Sequence, residues 1–248
     1  MKKFFLIAAA SAAVFSACTK GKNCAEKLML EVSNPSPSVG SSVTITSSRE
    51  SEEDVFQWNG PHTNLTNQSN ILTIDDLKPS HRGWYYVNKG NTDCNNSLND
   101  SFYLDVKLLQ ETAPCSPVNN TVSCSNIPDL AASSVTKSFS DTWKGITMEA
   151  SGSFGYPSFR VIFSSNNGNK EPEDGVYTTQ NTLLFDPIEE RDLVSVSFLY
   201  SNNFYHCQEG SKVYVKHVNG KLQVSFCSLV FGSSPLPNTT CSGRLTEL

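Results

Sequence analysis

The segment YHCQE at 205–209 places a histidine beside a cysteine, the two side chains that a thiol hydrolase needs. A nucleophilic thiol requires a base within hydrogen-bonding reach. Adjacent residues of a strand point to opposite faces of the sheet, so His206 is not expected to activate Cys207. The chain also has no Gly-x-Ser-x-Gly, His-Glu-x-x-His or glycine-rich phosphate-loop pattern. We therefore predict a protein without catalytic residues or cofactor, and a hydrolase with an unrecognised site is the least favoured alternative.

Four acidic clusters could supply oxygen ligands to a cation. They are ESEED at 50–54, DD at 75–76, EPED at 171–174 and EERD at 189–192. None follows the Asp-x-Asp-x-Asp-Gly spacing that wraps calcium, and no Cys-x-x-Cys supports zinc. We interpret the clusters as solvated turns and predict no metal site. A net charge of −5 leaves no basic surface for a phosphate backbone, so nucleic acid is excluded as a partner.

The N-terminus has the three-part layout of a secretory leader. Two lysines, Lys2 and Lys3, precede an apolar run at 4–15 and then small residues. As a helix the apolar run would extend about 18 Å, which is well short of the about 30 Å hydrocarbon core of a bilayer. A cleaved signal peptide at 1–17 is therefore favoured over a permanent transmembrane helix.

The segment FSAC at 15–18 resembles the lipobox of bacterial lipoproteins. That resemblance implies a diacylglyceryl thioether and an acylated amine on Cys18, and so a membrane partner through the lipid anchor. Residues 18–25 would form the tether. An ordinary disulfide cysteine after simple leader cleavage is the alternative for Cys18. The absence of Asp just after the cysteine favours the outer membrane by the same resemblance, and exposure at the cell surface stays open.

Seven cysteines remain once Cys18 is set aside. In an exported chain they are expected to form disulfides, because the compartments beyond the inner membrane are oxidising. An odd number leaves one cysteine unpaired, and we expect this to be Cys207. Spacing alone leaves other connectivities open. The expected pairs are Cys24–Cys94, Cys115–Cys124 and Cys227–Cys241.

Short alternating runs bounded by turn residues predict an all-β fold with two β-sandwich domains in series, at 26–108 and 109–248. The boundary lies beside the proline-containing segment APCSPVNN at 113–120. Strands are predicted in the first domain at 27–32, 42–47, 55–58, 71–74, 84–87 and 101–106. Strands are predicted in the second domain at 142–151, 158–163, 182–185, 193–200, 212–218, 221–231 and 239–245. Asn219-Gly220 between two alternating runs predicts a hairpin there.

The first domain resembles the immunoglobulin fold over about 80 residues. Leu-Thr-Ile at 72–74 matches the strand before the tyrosine corner, and GWYYV at 83–87 matches the Gly-x-Tyr-x-Cys segment. The resemblance implies a core tryptophan at Trp58 and a corner tyrosine at Tyr85. Where that family has its inter-sheet disulfide, this chain has Ile45 or Val43 and Val87, so an aliphatic pair must do the packing. The second domain matches no named family.

Exposed aromatic side chains are the remaining candidates for binding. Trp84 and Tyr86 should point away from the core if Tyr85 and Val87 point into it, and Trp143 and Tyr156 flank loops. Aromatic faces stack on sugars and anchor protein interfaces. For Trp84, packing against the neighbouring domain is slightly favoured over a binding role. The sequence thus favours a non-catalytic binding or adhesion lipoprotein with an unknown protein or glycan ligand, and the alternative is a glycan-binding accessory protein of a polysaccharide-uptake system.

Overall fold

The structure is a computed structural model, and it describes residues 28–48, 54–61, 63–67, 69–91, 96–140, 145–153, 156–163, 171–181 and 192–248. The described residues form β-strands and one 3-10 helix at Pro79–His81, which confirms the prediction of an all-β fold. Several predicted features lie outside the described residues: the leader, Cys18, Cys24, Cys94, Trp143 and the strand at 182–185.

The first half of the chain forms two antiparallel sheets. The strands are β1 (Leu30–Val32), β2 (Val43–Ser47), β3 (Val55–Gly60), β4 (Thr63–Asn67), β5 (Ile71–Ile74), β6 (Gly83–Asn91) and β7 (Asn96–Leu104). One sheet has the order β1-β2-β5 and the other has the order β4-β3-β6-β7. The six strands predicted here all exist, whereas β4 was not predicted.

These two sheets enclose one hydrophobic core, which we call the first core. Its side chains come from alternate positions of the strands, as a half-buried strand requires. Ile45, Trp58, Tyr85 and Val87 are all buried in it. The Tyr85 hydroxyl donates to the backbone oxygen of His81 at 3.0 Å, an upstream contact of the kind that a tyrosine corner makes.

The second half of the chain forms a single sheet of eleven strands. They are β8 (Thr121–Cys124), β9 (Leu130–Ala131), β10 (Ser134–Ser140), β11 (Gly145–Ser151), β12 (Ser158–Phe163), β13 (Gly175–Thr179), β14 (Leu193–Tyr200), β15 (Asn203–Cys207), β16 (Lys212–Val218), β17 (Lys221–Ser233) and β18 (Leu236–Thr246). The order is β10-β11-β12-β14-β13-β16-β17-β18-β8-β9, and β15 pairs with both β14 and β17. The predicted bounds of β12, β14 and β16 match, whereas β8, β9, β10, β13 and β15 were not predicted.

The extra pairing of β15 closes part of this sheet into a ring. The hydrogen-bonded path runs from β14 through β13, β16, β17 and β15 and returns to β14. The sheet therefore folds over its own inner face and buries a second core. Phenylalanines dominate the centre of this core, and the ring centroids of Phe159 and Phe198 lie 4.9 Å apart.

The predicted hairpin at Asn219-Gly220 is confirmed. It joins β16 to β17, which pair from Val218↔Lys221 inward. Asn219 has φ 54° and Gly220 has φ 77°, the positive values that both central positions of this turn type require.

The predicted disulfide pairs in the second half are wrong. The structure pairs Cys115 with Cys227 and Cys124 with Cys241, at Cα–Cα distances of 5.9 and 4.1 Å. Cys227 cannot meet Cys241 because they point to opposite faces: Cys241 is buried in the second core, and Cys227 alternates with the inward Phe226. Cys124 lies directly opposite Cys241 in the β8–β18 ladder. Cys207 is free, as predicted.

The two cores are joined by polar and apolar contacts. Val39 packs against both cores. Arg82, at the start of β6, forms a bidentate ion pair with Glu173, just before β13. The Arg82 guanidinium also donates from Nε to the backbone oxygen of Val106 at 3.0 Å. These bonds fix the loop before β13 against the end of the first core.

Candidate functional site

Three exposed aromatic rings lie together on the outer surface of the sheet β4-β3-β6-β7. Trp84 and Tyr86 are two residues apart on β6, so they share a face. Tyr103 lies directly opposite Trp84 on β7. The exposed fractions are 52% for Trp84, 53% for Tyr86 and 44% for Tyr103. The rings of Trp84 and Tyr103 meet edge to face with centroids 5.6 Å apart. We call these three residues the aromatic face.

Amide and hydroxyl side chains border the aromatic face. Asn59 of β3 and Ser101 of β7 lie opposite Tyr86 in the two neighbouring ladders. Gln57 lies opposite Asn88, two residues further along the same two strands and therefore on the same face. All four side chains are exposed. The surface therefore combines apolar rings with donors and acceptors that carry no charge.

The inward residues of the same strands hold the aromatic face in place. Tyr85 and Val87 alternate with the exposed residues of β6 and are fully buried. The Tyr85 ring also stacks on Phe102 of β7, with centroids 5.4 Å apart. The inward side chains of β6 and β7 are packed in the first core, and the two strands pair with each other over nine residues. The aromatic face therefore lies on a well-ordered strand pair. Side chains on an ordered strand pair lose less conformational entropy when a ligand binds than side chains on a flexible loop.

Sequence reasoning identified Trp84 but not Tyr103. The signal was present, because alternation along 101–106 places Phe102 and Leu104 inward and so turns Tyr103 outward. Packing of Trp84 against the second half of the chain is not what the structure shows, since half of its surface is open and its ring partner is Tyr103.

The other aromatic candidate lies on a different sheet. Tyr156 precedes β12 and is 51% exposed. It lines a shallow depression together with Val118, Asp129 and Leu130. Trp84 and Tyr156 therefore do not form one site.

The histidine and cysteine of β15 are separated as predicted. Cys207 is buried in the second core, and His206 is exposed on the other face. Burial raises the pKa of Cys207 to about 11, against a weaker opposing hydrogen bond with Thr179. The thiol is therefore protonated at neutral pH, whereas a nucleophilic cysteine must be a thiolate.

The acidic cluster at 171–174 is solvent-exposed as predicted, but its carboxylates are paired. Glu171 contacts Lys137, Glu173 contacts Arg82, and Asp174 Oδ1 lies 2.6 Å from His217 Nδ1. Within the described ranges, no three His, Cys, Asp or Glu side chains are grouped as metal ligands.

One member of the cluster at 50–54 does not fit the interpretation as a solvated turn. Asp54, its one described member, is fully buried, and its Oδ2 lies 3.0 Å from Lys89 Nζ. This correction follows from tertiary packing, because Lys89 is on the inward face of β6 and can neutralise the carboxylate there.

No protein-family model matches the chain, and no curated protein is similar to it in sequence. Among the described residues, no helix has the length and apolar character needed to span a membrane.

Proposed function

We propose that this chain is a non-catalytic binding or adhesion lipoprotein of a bacterial cell envelope. In this proposal Cys18 carries the lipid that anchors the protein, in the outer membrane by its lipobox resemblance. The domain at 26–108 is immunoglobulin-like and presents the aromatic face to a ligand. The domain at 109–248 is an all-β unit built from the folded sheet of β8 to β18.

The observation that carries the binding role is the aromatic face itself. Trp84, Tyr86 and Tyr103 expose about half of their surface side by side on a regular strand pair. Tyrosine and tryptophan are the residues that most often dominate binding energy at protein interfaces. Rings that had only a packing role would gain stability from burial, and these rings remain in contact with water.

Three features support the immunoglobulin-like assignment. A three-stranded and a four-stranded antiparallel sheet face each other across the first core, as in sandwiches of that kind. Trp58 on β3 and Tyr85 on β6 are both fully buried between them. The aliphatic residues Ile45 and Val87 are buried in the same core, which fits an apolar replacement of the inter-sheet disulfide.

A glycan is the alternative ligand, and the border of the aromatic face favours it. Sugar rings stack on aromatic faces through their C–H groups, and their hydroxyls need uncharged donors and acceptors nearby. Asn59, Gln57, Asn88 and Ser101 provide such groups beside the rings. A role as an accessory protein of a polysaccharide-uptake system would follow from glycan binding.

Binding can be tested with the full chain in nonionic micelles, on a glycan array and in an adhesion assay on host and bacterial cell surfaces. Substitutions Trp84→Ala and Tyr86→Ala should each weaken retention about 30-fold, since an interface anchor contributes about 2 kcal/mol or more. Phe204→Ala is the matched control, because Phe204 is an exposed aromatic residue, at 58%, on β15 of the other sheet.

The result decides between the two ligands and can exclude both. Retention on glycans that depends on Trp84 supports the glycan alternative, and retention on cells without glycan binding supports a protein ligand. Equal loss in Phe204→Ala, or binding unchanged in both aromatic-face variants, contradicts a role for the aromatic face.

The anchor can be tested by the intact mass of the protein from a bacterial membrane fraction. We expect the mass of a mature chain that begins at Cys18 and carries three acyl chains. Cys18→Ser should release the protein from the membrane fraction. A mature protein that lacks lipid would refute the anchor and leave the binding role to be judged separately.

A further inference from the structure

A second site, independent of the aromatic face, lies beneath the segment that joins the two halves of the chain. Residues 109–116, which we call the strap, cross the outer face of β16 and β17. The strap is fixed at one end by a hydrogen bond from Val176 N to Leu109 O at 2.9 Å. It is fixed at the other end by the disulfide from Cys115 to Cys227 of β17. A cavity of about 200 Å³ remains between strap and sheet.

The floor of this cavity carries two cationic side chains from the two strands that flank β17. They are Lys216 of β16 and Arg244 of β18, and Ser225 of β17 lies directly opposite Arg244. Neither cation forms an ion pair with a residue in the described part of the chain, whereas six other described cations do. Positive charge is therefore left uncompensated at this place in a chain whose net charge is −5.

Arg244 also has a hydrogen-bond donor that no described residue satisfies. Its Nε is buried and has no hydrogen-bond partner among the described residues. A buried donor without an acceptor is costly, and a guanidinium is most strongly satisfied by a planar carboxylate that accepts two parallel hydrogen bonds. The Nε–H of Arg244 is therefore an unused donor that a carboxylate could satisfy.

The acidic residue in the strap does not oppose an anion. Glu111 lines the cavity, but its Oε2 lies 2.7 Å from Lys212 Nζ. The hydrogen bond to Glu111 raises the pKa of Lys212, which stays cationic and compensates the glutamate. Tyr214 also lines the cavity, and its phenol hydroxyl is a further hydrogen-bond donor. The net charge of the lining is therefore positive.

We propose that the cavity beneath the strap binds a small organic carboxylate, held by Arg244 and Lys216. Pockets for drug-sized ligands have volumes of about 300 Å³ or more. The cavity beneath the strap is smaller, at about 200 Å³, so its ligand must be a small acid. The Ser225 hydroxyl lines the same cavity and can donate to the same carboxylate. The disulfide keeps the strap closed over the bound anion.

The test is isothermal titration calorimetry of the full chain in nonionic micelles, in a buffer free of carboxylates. The probes are sodium acetate and sodium succinate, with acetamide as the neutral isostere of acetate and sodium chloride at matched ionic strength. We expect binding of at least one carboxylate and none of acetamide or chloride. Arg244→Gln should weaken this binding about tenfold or more, the factor expected for a lost charged hydrogen bond.

Two further variants keep the result interpretable. Lys216 is exposed, so Lys216→Gln should fold normally and weaken binding about threefold or more even if Arg244→Gln does not fold. Lys221→Gln is the matched control, because Lys221 is an exposed cation on β17 that does not line the cavity. Absence of carboxylate binding, equal binding of chloride, or binding unchanged in both cavity variants would overturn the proposal.

Discussion

The buried ion pair between Asp54 and Lys89 should be a main determinant of stability in the first core. Asp54 directly precedes β3, and Lys89 occupies an inward position of β6 opposite Phe56. Their side chains are 0% and 2% exposed, and Lys89 Nζ lies 3.0 Å from Asp54 Oδ2. Removal of either partner would leave a charge in a site that water does not reach.

The expected magnitude follows from the asymmetry of buried ion pairs. Lys89→Met or Asp54→Asn should lower the free energy of unfolding by about 3–5 kcal/mol, because one charge or polar group loses its compensation. This is a large part of the about 5–15 kcal/mol that stabilises a typical domain. The double substitution Asp54→Leu and Lys89→Met removes both charges and should cost far less than the sum of the single changes.

Urea denaturation of the full chain in nonionic micelles, followed by tryptophan fluorescence, measures these differences. Trp58, one of the three tryptophans, is fully buried in the same core, so unfolding of this core changes its emission. Lys107→Met is the control. Lys107 forms an ion pair with Asp105 but is 50% exposed, so its loss should cost about 1 kcal/mol or less.

Two results would refute this reasoning. One is a loss below about 1 kcal/mol for both Lys89→Met and Asp54→Asn, which would mean that the pair is hydrated in solution. The other is a double variant as unstable as the sum of the two single variants, because additivity would show that the two charges do not interact.

Three further predictions concern the second half of the chain. Cys207 should resist alkylation by iodoacetamide at pH 8 in the folded protein, since it is buried with a pKa of about 11, and should react once the protein is denatured. Equally fast labelling of the folded and denatured protein would contradict this prediction. Gly220→Ala should cost about 1–2 kcal/mol in urea denaturation because Gly220 has φ 77°, whereas Asn219→Gly should be nearly neutral. Burial opposes ionisation of Glu247, but hydrogen bonds from Lys137 and from the Leu222 amide outweigh it and lower the pKa of Glu247. Its folded pKa lies below the unfolded one, so the stabilisation is present above the unfolded pKa and is lost as the pH falls through the folded pKa. The wild-type protein should therefore be more stable than Glu247→Gln at neutral pH and no more stable well below about pH 4. A stability difference that persists at that low pH would contradict the lowered pKa of Glu247.

Strands with local alternation could be predicted from the sequence, and those without it could not. The bounds of β12, β14 and β16 match because each contains its own apolar period. β13 and β15 are short and are defined by their neighbours: β13 lies between β14 and β16, and β15 bridges β14 and β17. Such strands exist because of pairing between distant segments, which local periodicity does not record.

The candidate site was partly visible in the sequence. Alternation along β6 places Tyr85 inside and Trp84 outside, and the structure has both in those positions. That Tyr103 lies opposite Trp84 depends on the register between β6 and β7, which is a tertiary property. The cavity beneath the strap was not predicted, because it depends on a disulfide that spans 112 residues.

The all-β class, the Asn219-Gly220 hairpin and the presence of an unpaired cysteine could be predicted from the sequence alone, because alternation, turn chemistry and an odd cysteine number are local or countable properties. The pairing of the cysteines, in contrast, is set by the tertiary structure. Cys124 meets Cys241 because β8 joins the edge of β18, and Cys115 meets Cys227 because the strap crosses the sheet face. Proximity in the fold, set by register and by the face on which a side chain lies, outweighed proximity in the chain.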